Sequence, residues 1–241
     1  MPNHLKLYST LSVFFGRNLK TKAHAHHAME IVLAVNGSLT IHSGKTIKAE
    51  GVILKPDIIH SISGTGLIIS ILLDPETALC NHVISMLGSK SVLKLEPSIT
   101  DMLVNHFKNH TNRHFSEDGI CELLSNSLAS SNSVALGNHI DPRVLTVIDL
   151  IKTSPQKSLP FTTLIRASGV SESRLMHLFK KETGTTIRKY VLWNKLQHAI
   201  KLHLVGNSLK QAAKQSGFTD PAHFNRVFVS NYGANPSSML K

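Results

Sequence analysis

The 241-residue chain is long enough for two modest domains, each with its own core, and its 41% hydrophobic content is that of an ordinary globular protein. No apolar run approaches the roughly 20 residues that span a bilayer, which excludes a helical membrane protein. The net charge of +11 is carried entirely by one part: residues 142–241 hold 15 Lys and Arg against 4 Asp and Glu, while residues 1–141 hold 11 of each sign. A neutral part joined to a basic part points to one region that senses or assembles and another that meets a polyanion. Two cysteines, Cys80 and Cys121, lack CxxC partners, so neither a disulfide framework nor a thiolate zinc site is indicated, and a reducing cytoplasm is expected.

The N-terminal stretch MPNHLKLYSTLSVFFGRNLK has no small-residue cleavage site and reads as the first strand rather than a signal peptide. Residues 5–73 read as short strands. MEIVLAVNGSLTIHSG gives an apolar strand, an Asn36-Gly37 hairpin turn and a second strand ending at Ser43-Gly44. Thr46–Ala49, Gly51–Leu54 and Leu67–Leu72 continue the pattern, with turns near Glu50-Gly51 and Gly64-Thr65-Gly66. Strands this short and regular indicate a small barrel or sandwich. HAHHAMEIVLAVNG puts His24 and His26 on one face of a strand, Glu30 four residues on and Gly37 beyond, and GVILKPDIIH brings His60 behind Pro56. These two segments resemble the cupin motifs, whose three-His, one-Glu set holds a divalent metal in metal-containing members; the second motif departs from the pattern, with Ile58 at its expected glycine. Imidazole and carboxylate ligands suit iron, manganese, nickel, copper or zinc without choosing among them. The same histidines also read as the lining of a metal-free pocket for a small effector, the more general use of such a barrel in regulators, and both readings stay open.

PETALCNHVISMLGSK, EPSITDMLVNHFKNH and SEDGICELLSNSLASS have apolar residues at helical spacing, with caps at Ser98 and Ser116, and predict helices over about 75–130. Ser125–Asn138 is polar and small-residue rich, the expected linker.

In the basic part, Pro142–Thr153 carries an apolar stripe of Val144, Leu145, Val147, Ile148 and Ile151 behind an Asp141 cap. FTTLIRASGVSESRLMHLFKKETG splits at Gly169 into a short helix, a tight turn and a second helix capped by Ser171, the signature of a helix-turn-helix. About 48 residues later SLKQAAKQSGFTDPAHFNRVFVSNYG repeats it: Gly217 answers Gly169, Phe228 answers Phe179, Gly233 answers Gly184, and Asp220-Pro221 forms a cap and first turn. The stretch between them predicts a helix of about 20 residues and ~30 Å, long enough to present two reading helices to successive major grooves about 34–36 Å apart.

Residues 142–241 resemble the DNA-binding domain of AraC/XylS-type transcriptional regulators through LIRASGVSESRLMHLFKKETG, Tyr190, Lys195-Leu196 and Ala199, and QAAKQSGFTDPAHFNRVF with Tyr232-Gly233 and Pro236. The chain departs from that pattern at Val229, where a basic residue is usual, at Lys195 in place of Arg, and at Met239-Leu240 in place of Tyr-Arg. The reading faces would present Ser173, Arg174, Met176, His177 and Lys180 in the first unit and Ala222, Asn225 and Arg226 in the second. Asn suits adenine and Arg guanine, so the second unit is expected to carry more base discrimination, while Lys180, Lys181, Lys189 and Lys210 suit phosphates.

The resemblance implies an α+β chain of two domains: 1–135, a cupin-like sensory and dimerisation domain with a barrel over about 5–73, and 141–241, an all-α domain of two helix-turn-helix units joined by a long helix. It implies a cytoplasmic, non-enzymatic, sequence-specific transcriptional regulator. Its partners would be double-stranded DNA, a second copy as a homodimer contacting through the helices after the barrel, a small-molecule or metal effector and, for an activator, RNA polymerase. The alternatives are a metal-dependent cupin enzyme tethered to DNA, with only His27 and His42 as further acid–base groups nearby, and an architectural DNA binder without effector.

Overall fold

The computed structural model describes residues 3–109, 115–128, 140–154 and 159–240, and the chain divides into two compact units. The first comprises Met1–Asn138 together with Ser230–Lys241, the second His139–Val229.

In the first unit, β1 (His4–Leu7), β2 (Leu11–Arg17), β3 (Met29–Val35), β6 (Gly51–Leu54), β8 (Leu67–Leu73) and β9 (Val92–Lys94) form an antiparallel sheet in the order β1-β2-β8-β3-β6-β9. A second sheet has the order β5-β4-β7, from β4 (Leu39–Ser43), β5 (Lys45–Ala49) and β7 (Ser61–Gly64). β3 is buried on both faces, which is why its sequence is a continuous apolar run rather than an alternating one. Val32 and Ala34 pack inward against Leu39, Ile41 and Ile62 of the second sheet. Met29, Ile31, Leu33 and Val35 pack outward against the helices α1 (Ala78–Leu87), α2 (Pro97–Asn109) and α3 (Glu117–Leu128).

Several expectations are corrected here. Asn36-Gly37 closes no hairpin: β3 and β4 lie in different sheets, and the turn is a corner between them. Asn36 is left-handed (φ 55), and a Cβ on Gly37 would lie 2.1 Å from the Thr65 carbonyl oxygen, so the corner is fixed by close backbone approach. The region after the barrel strands is not wholly helical, since β9 extends the large sheet beside β6. Ser125–Leu128 of the expected linker is the last turn of α3, and residues 129–138 lie outside the described residues. Of the apolar residues at helical spacing on α2 and α3, Leu103, Phe107, Ile120, Leu124 and Leu128 are core beneath the large sheet, and Met102 is exposed.

The second unit follows the sequence closely. α4 (Pro142–Thr153) is capped by Asp141, whose carboxylate accepts from the Arg143 amide at 2.9 Å. Leu145, read as part of its apolar stripe, is exposed, while Val144, Val147, Ile148 and Ile151 are core. α5 (Phe161–Ser168) ends at Gly169 in the left-handed region (φ 66), and α6 (Glu172–Thr183) begins from a Ser171 cap. α7 (Ile187–Leu204) has 18 residues, ~27 Å at 1.5 Å per residue. α8 (Leu209–Gln215) starts from a capping box of Ser208 and Gln211, and α9 (Pro221–Tyr232) follows Gly217 (φ 78). The short α10 (Pro236–Met239) lies beyond it, within the first unit. The two halves of α7 serve two cores. Tyr190 meets Phe179 edge-on at 5.5 Å between centroids, and in the other core Phe224 meets Phe218 edge-on at 5.4 Å and lies tilted against Phe228 at 5.9 Å.

Candidate metal centre and nucleic-acid interface

Strand periodicity places Glu30 on the inward face of β3, in line with Val32 and Ala34. An isolated antiparallel bridge, with both amides bonded at 2.9 Å, sets His24 against His60. His26 stands two residues beyond His24. The four side chains are buried, and one ligand atom from each lies within 4.8 Å of all the others. His24, His26 and Glu30 line a cavity of about 20 Å³, room for one water or ion, with Ser12, Ser70, Tyr232 and Met239 also on its wall.

The hydrogen bonds fix the chemistry of the imidazoles. His24 Nδ1 is 2.9 Å from the Lys22 carbonyl, His26 Nδ1 2.8 Å from Ala28, and His60 Nδ1 3.0 Å from Ile58. A carbonyl only accepts, so each Nδ1 carries the proton and each neutral ring keeps a lone pair on Nε2. His26 and His60 present those Nε2 atoms 3.2 Å from the same oxygen, Glu30 Oε2, and His60 Nε2 has no well-directed hydrogen bond. The other oxygen, Oε1, accepts from Ser70 Oγ at 2.6 Å. Three lone pairs and a carboxylate facing one another require a cation, either protons or a metal. The same demand moves the titrations. Burial raises the Glu30 carboxyl, but His26 and His60 outweigh it and hold it well below the carboxylate range. Burial lowers His60, but Glu30 outweighs it and the net shift is upward. Burial, and then the repulsion that a protonated His60 would exert, bring His24 down to about 4, so that ring stays neutral.

This donor set fits a divalent transition metal: main-chain carbonyls orient all three imidazoles through their second nitrogen, and a hydroxyl orients the carboxylate. Ligands bound at about 2.1 Å can be no more than about 4.2 Å apart, so the widest pair must close by about half an ångström. Ser70 was not singled out in the sequence, where it lies 40 residues from Glu30; only the β3–β8 register, with Val32 opposite Ser70, brings it there. His27 contacts Asp57 at 3.5 Å, while His42 is an exposed residue of β4 bonded to Thr46.

On α6, Leu175, Leu178 and Phe179 face the core, and Ser173, Arg174, Met176, His177 and Lys180 are exposed. On α9, Phe224, Val227 and Phe228 are buried, while Ala222, Asn225 and Arg226 are exposed and Val229 is half-buried. The Asp220 carboxylate accepts from the His223 amide at 2.7 Å and sets the start of α9. Lys181, Lys189 and Lys210 are exposed as well.

Residues 164–241 match the family described as a helix-turn-helix domain. Over 105 residues the chain is 31% identical to the HTH-type transcriptional regulator GlxA of Rhizobium meliloti, covering 43% of this chain and 32% of that protein. The chain thus spans about a third of that relative's length. The probable transcriptional regulator LumQ of Photobacterium leiognathi is 24% identical over 229 residues, covering 90% of this chain and 92% of LumQ. Among solved structures, ToxT of Vibrio cholerae bound to an unsaturated fatty acid superposes with a TM-score of 0.62 at 16% identity, covering 97% of each chain. That likeness is one of fold. Among the described residues no helix is long and apolar enough to cross a membrane.

Proposed function

From the AraC-type helix-turn-helix domain that the chain carries at residues 164–241, we propose a sequence-specific DNA-binding transcriptional regulator whose first unit binds a divalent transition metal through His24, His26, Glu30 and His60. The observation that carries DNA binding is the repeated helix-turn-helix, each copy exposing a polar face on its second helix, in a region with a net charge of +11. Lys180, Lys181, Lys189 and Lys210 are assigned to phosphates, and Ser173, Arg174, Met176, His177, Ala222, Asn225 and Arg226 to the bases or groove edge.

Two features favour a metal over an organic effector. The histidine tautomers leave three Nε2 lone pairs beside a carboxylate, and the cavity of about 20 Å³ takes an ion or a water. For a tetrahedral ion such as zinc, four protein ligands close the coordination shell, the arrangement of structural rather than catalytic sites, which favours sensing over enzymatic turnover. Metal would act on transcription through its differential affinity for the states of the protein that do and do not bind DNA. A homodimer on a two-part operator, in the cytoplasm, with contact to RNA polymerase if the protein activates, completes the reading.

The test has two arms. Protein purified without chelator or nickel resin should contain about one metal ion per chain, and His24→Ala/His60→Ala should contain none. Selection from random duplexes should yield one enriched sequence whose affinity changes on metal removal. A chain without metal that still selects one sequence would return these histidines to pocket lining. A chain that selects none would remove the regulator reading.

A further inference from the structure

Gly184 and Gly233 occupy equivalent places in the two helix-turn-helix copies, yet only one is crowded. Both are left-handed, with φ 79 and 64. A Cβ on Gly184 would meet nothing within 4 Å, whereas one on Gly233 would lie 2.6 Å from His24 Nδ1, 2.6 Å from the Lys22 carbonyl oxygen and 2.7 Å from Thr21 Cβ. The first two of these atoms are the hydrogen-bonded pair that leaves the His24 Nε2 lone pair for a metal. On either side of the contact, Lys22 N donates to the Gly233 carbonyl at 2.7 Å and Ala25 N donates to the Ser230 carbonyl at 3.3 Å. Buried Tyr232 and Met239 stand on the cavity wall beside His24, and Ser230–Lys241 belongs to the same compact unit as the ligands.

We infer that metal binding at His24, His26, Glu30 and His60 fastens the C-terminal segment, residues 230–240, onto the stretch 21–25, so that this segment is a metal-dependent latch. The inference rests on the metal-binding reading above. The stretch 21–25 belongs to no ladder; Thr21 is bonded to Ile62 through its amide and its hydroxyl, and an isolated bridge joins His24 to His60. A handful of hydrogen bonds sets its position. A metal would cross-link His24 to His26, to Glu30 on β3 and to His60. It would thereby fix the amides of Lys22 and Ala25 to which the segment bonds. Linkage runs both ways: a seated segment holds the His24–Lys22 pair in ligand geometry and must raise metal affinity by the same factor. Because α9 carries Asn225 and Arg226 and ends at Tyr232, the latch begins in the last turn of the second reading helix.

The experiment is hydrogen exchange on the full chain, with zinc chloride and with chelator, following peptides over 230–241 and, as an internal reference, over α6. Bound zinc is counted in the same samples. Zinc is expected to slow exchange over 230–241 several-fold in the wild type, to leave α6 unchanged, and to do nothing in Glu30→Gln. Gly233→Ala is expected to weaken zinc affinity about tenfold or more, the scale for disturbing an outer-shell partner of a ligand. Gly184→Ala, which carries only left-handed strain, is expected to leave zinc affinity unchanged. Stoichiometric zinc with unaltered exchange over 230–241 would overturn the latch and leave the metal site standing. Failure to bind zinc, nickel, manganese or iron would overturn the metal reading and the latch with it.

Discussion

Three imidazoles whose Nδ1 protons all go to main-chain carbonyls have little freedom left at Nε2, and Glu30 Oε2 stands 3.2 Å from two of them. The spacing of His24, His26 and Glu30 was legible because these residues lie on one short stretch, and His60 because Pro56 marks the strand that precedes it. Ser70 was not, since a serine in an apolar strand has no signature until the register is known. Its hydroxyl holds one carboxylate oxygen and so leaves the other aimed at the histidines. Ser70→Ala is therefore expected to weaken metal affinity by about 10–100-fold without unfolding the chain, as outer-shell substitutions do. Competition titration against a chromophoric chelator reads this directly. Unchanged affinity would mean that the histidines alone orient Glu30.

Elements were readable where local pattern decides them. Caps and left-handed glycines set helix ends from within a few residues, which is why Asp141, Ser171, Gly169 and Gly217 fell where the sequence put them. Partner choice is not local. Asn36-Gly37 carries the chemistry of a hairpin turn, but burial of β3 on both faces and the approach of Thr65 make it a corner between sheets. An apolar stripe on α2 or α3 likewise says that something covers it, not whether that is a sheet or a second copy. One cap gives a test by pH. Asp141 is held down to about 2, from an ordinary 3.8, chiefly by the hydrogen bond from the Arg143 side chain. A carboxyl whose pKa is depressed on folding contributes stability above its unfolded value and loses it as pH falls through the folded one. Trp193 is the chain's single tryptophan and is buried in the second unit, so its fluorescence follows unfolding there. Between about pH 4 and 2, Asp141→Asn is expected to lose stability less steeply than the wild type. Parallel profiles would show that the pair does not contribute to folding.

For the whole molecule, the partition of charge was the clearest sign in the sequence, and the membership of the last residues was the least clear. The motif around Tyr232, Gly233 and Pro236 reads as the end of a DNA-binding domain, yet Ser230–Lys241 forms part of the unit that holds His24, His26, Glu30 and His60. Periodicity cannot reveal that assignment, because it depends on a glycine fitting against a histidine more than 200 residues earlier. The charge partition carries a quantitative consequence. Each cation that neutralises a phosphate adds about one to the slope of log affinity against log salt, so exposed Lys180 and Arg226 can be assigned separate roles. Lys180→Ala is expected to weaken all duplexes alike and to flatten the salt slope by about one. Arg226→Ala is expected to cost about 1–3 kcal/mol on the selected sequence, far less on random duplex, and to relax preference at a single position. Fluorescence anisotropy at several salt concentrations, on selected and scrambled duplexes, separates the two patterns. Equal losses on both duplexes for Arg226→Ala would make it a phosphate contact and leave base reading to Asn225 and the first unit.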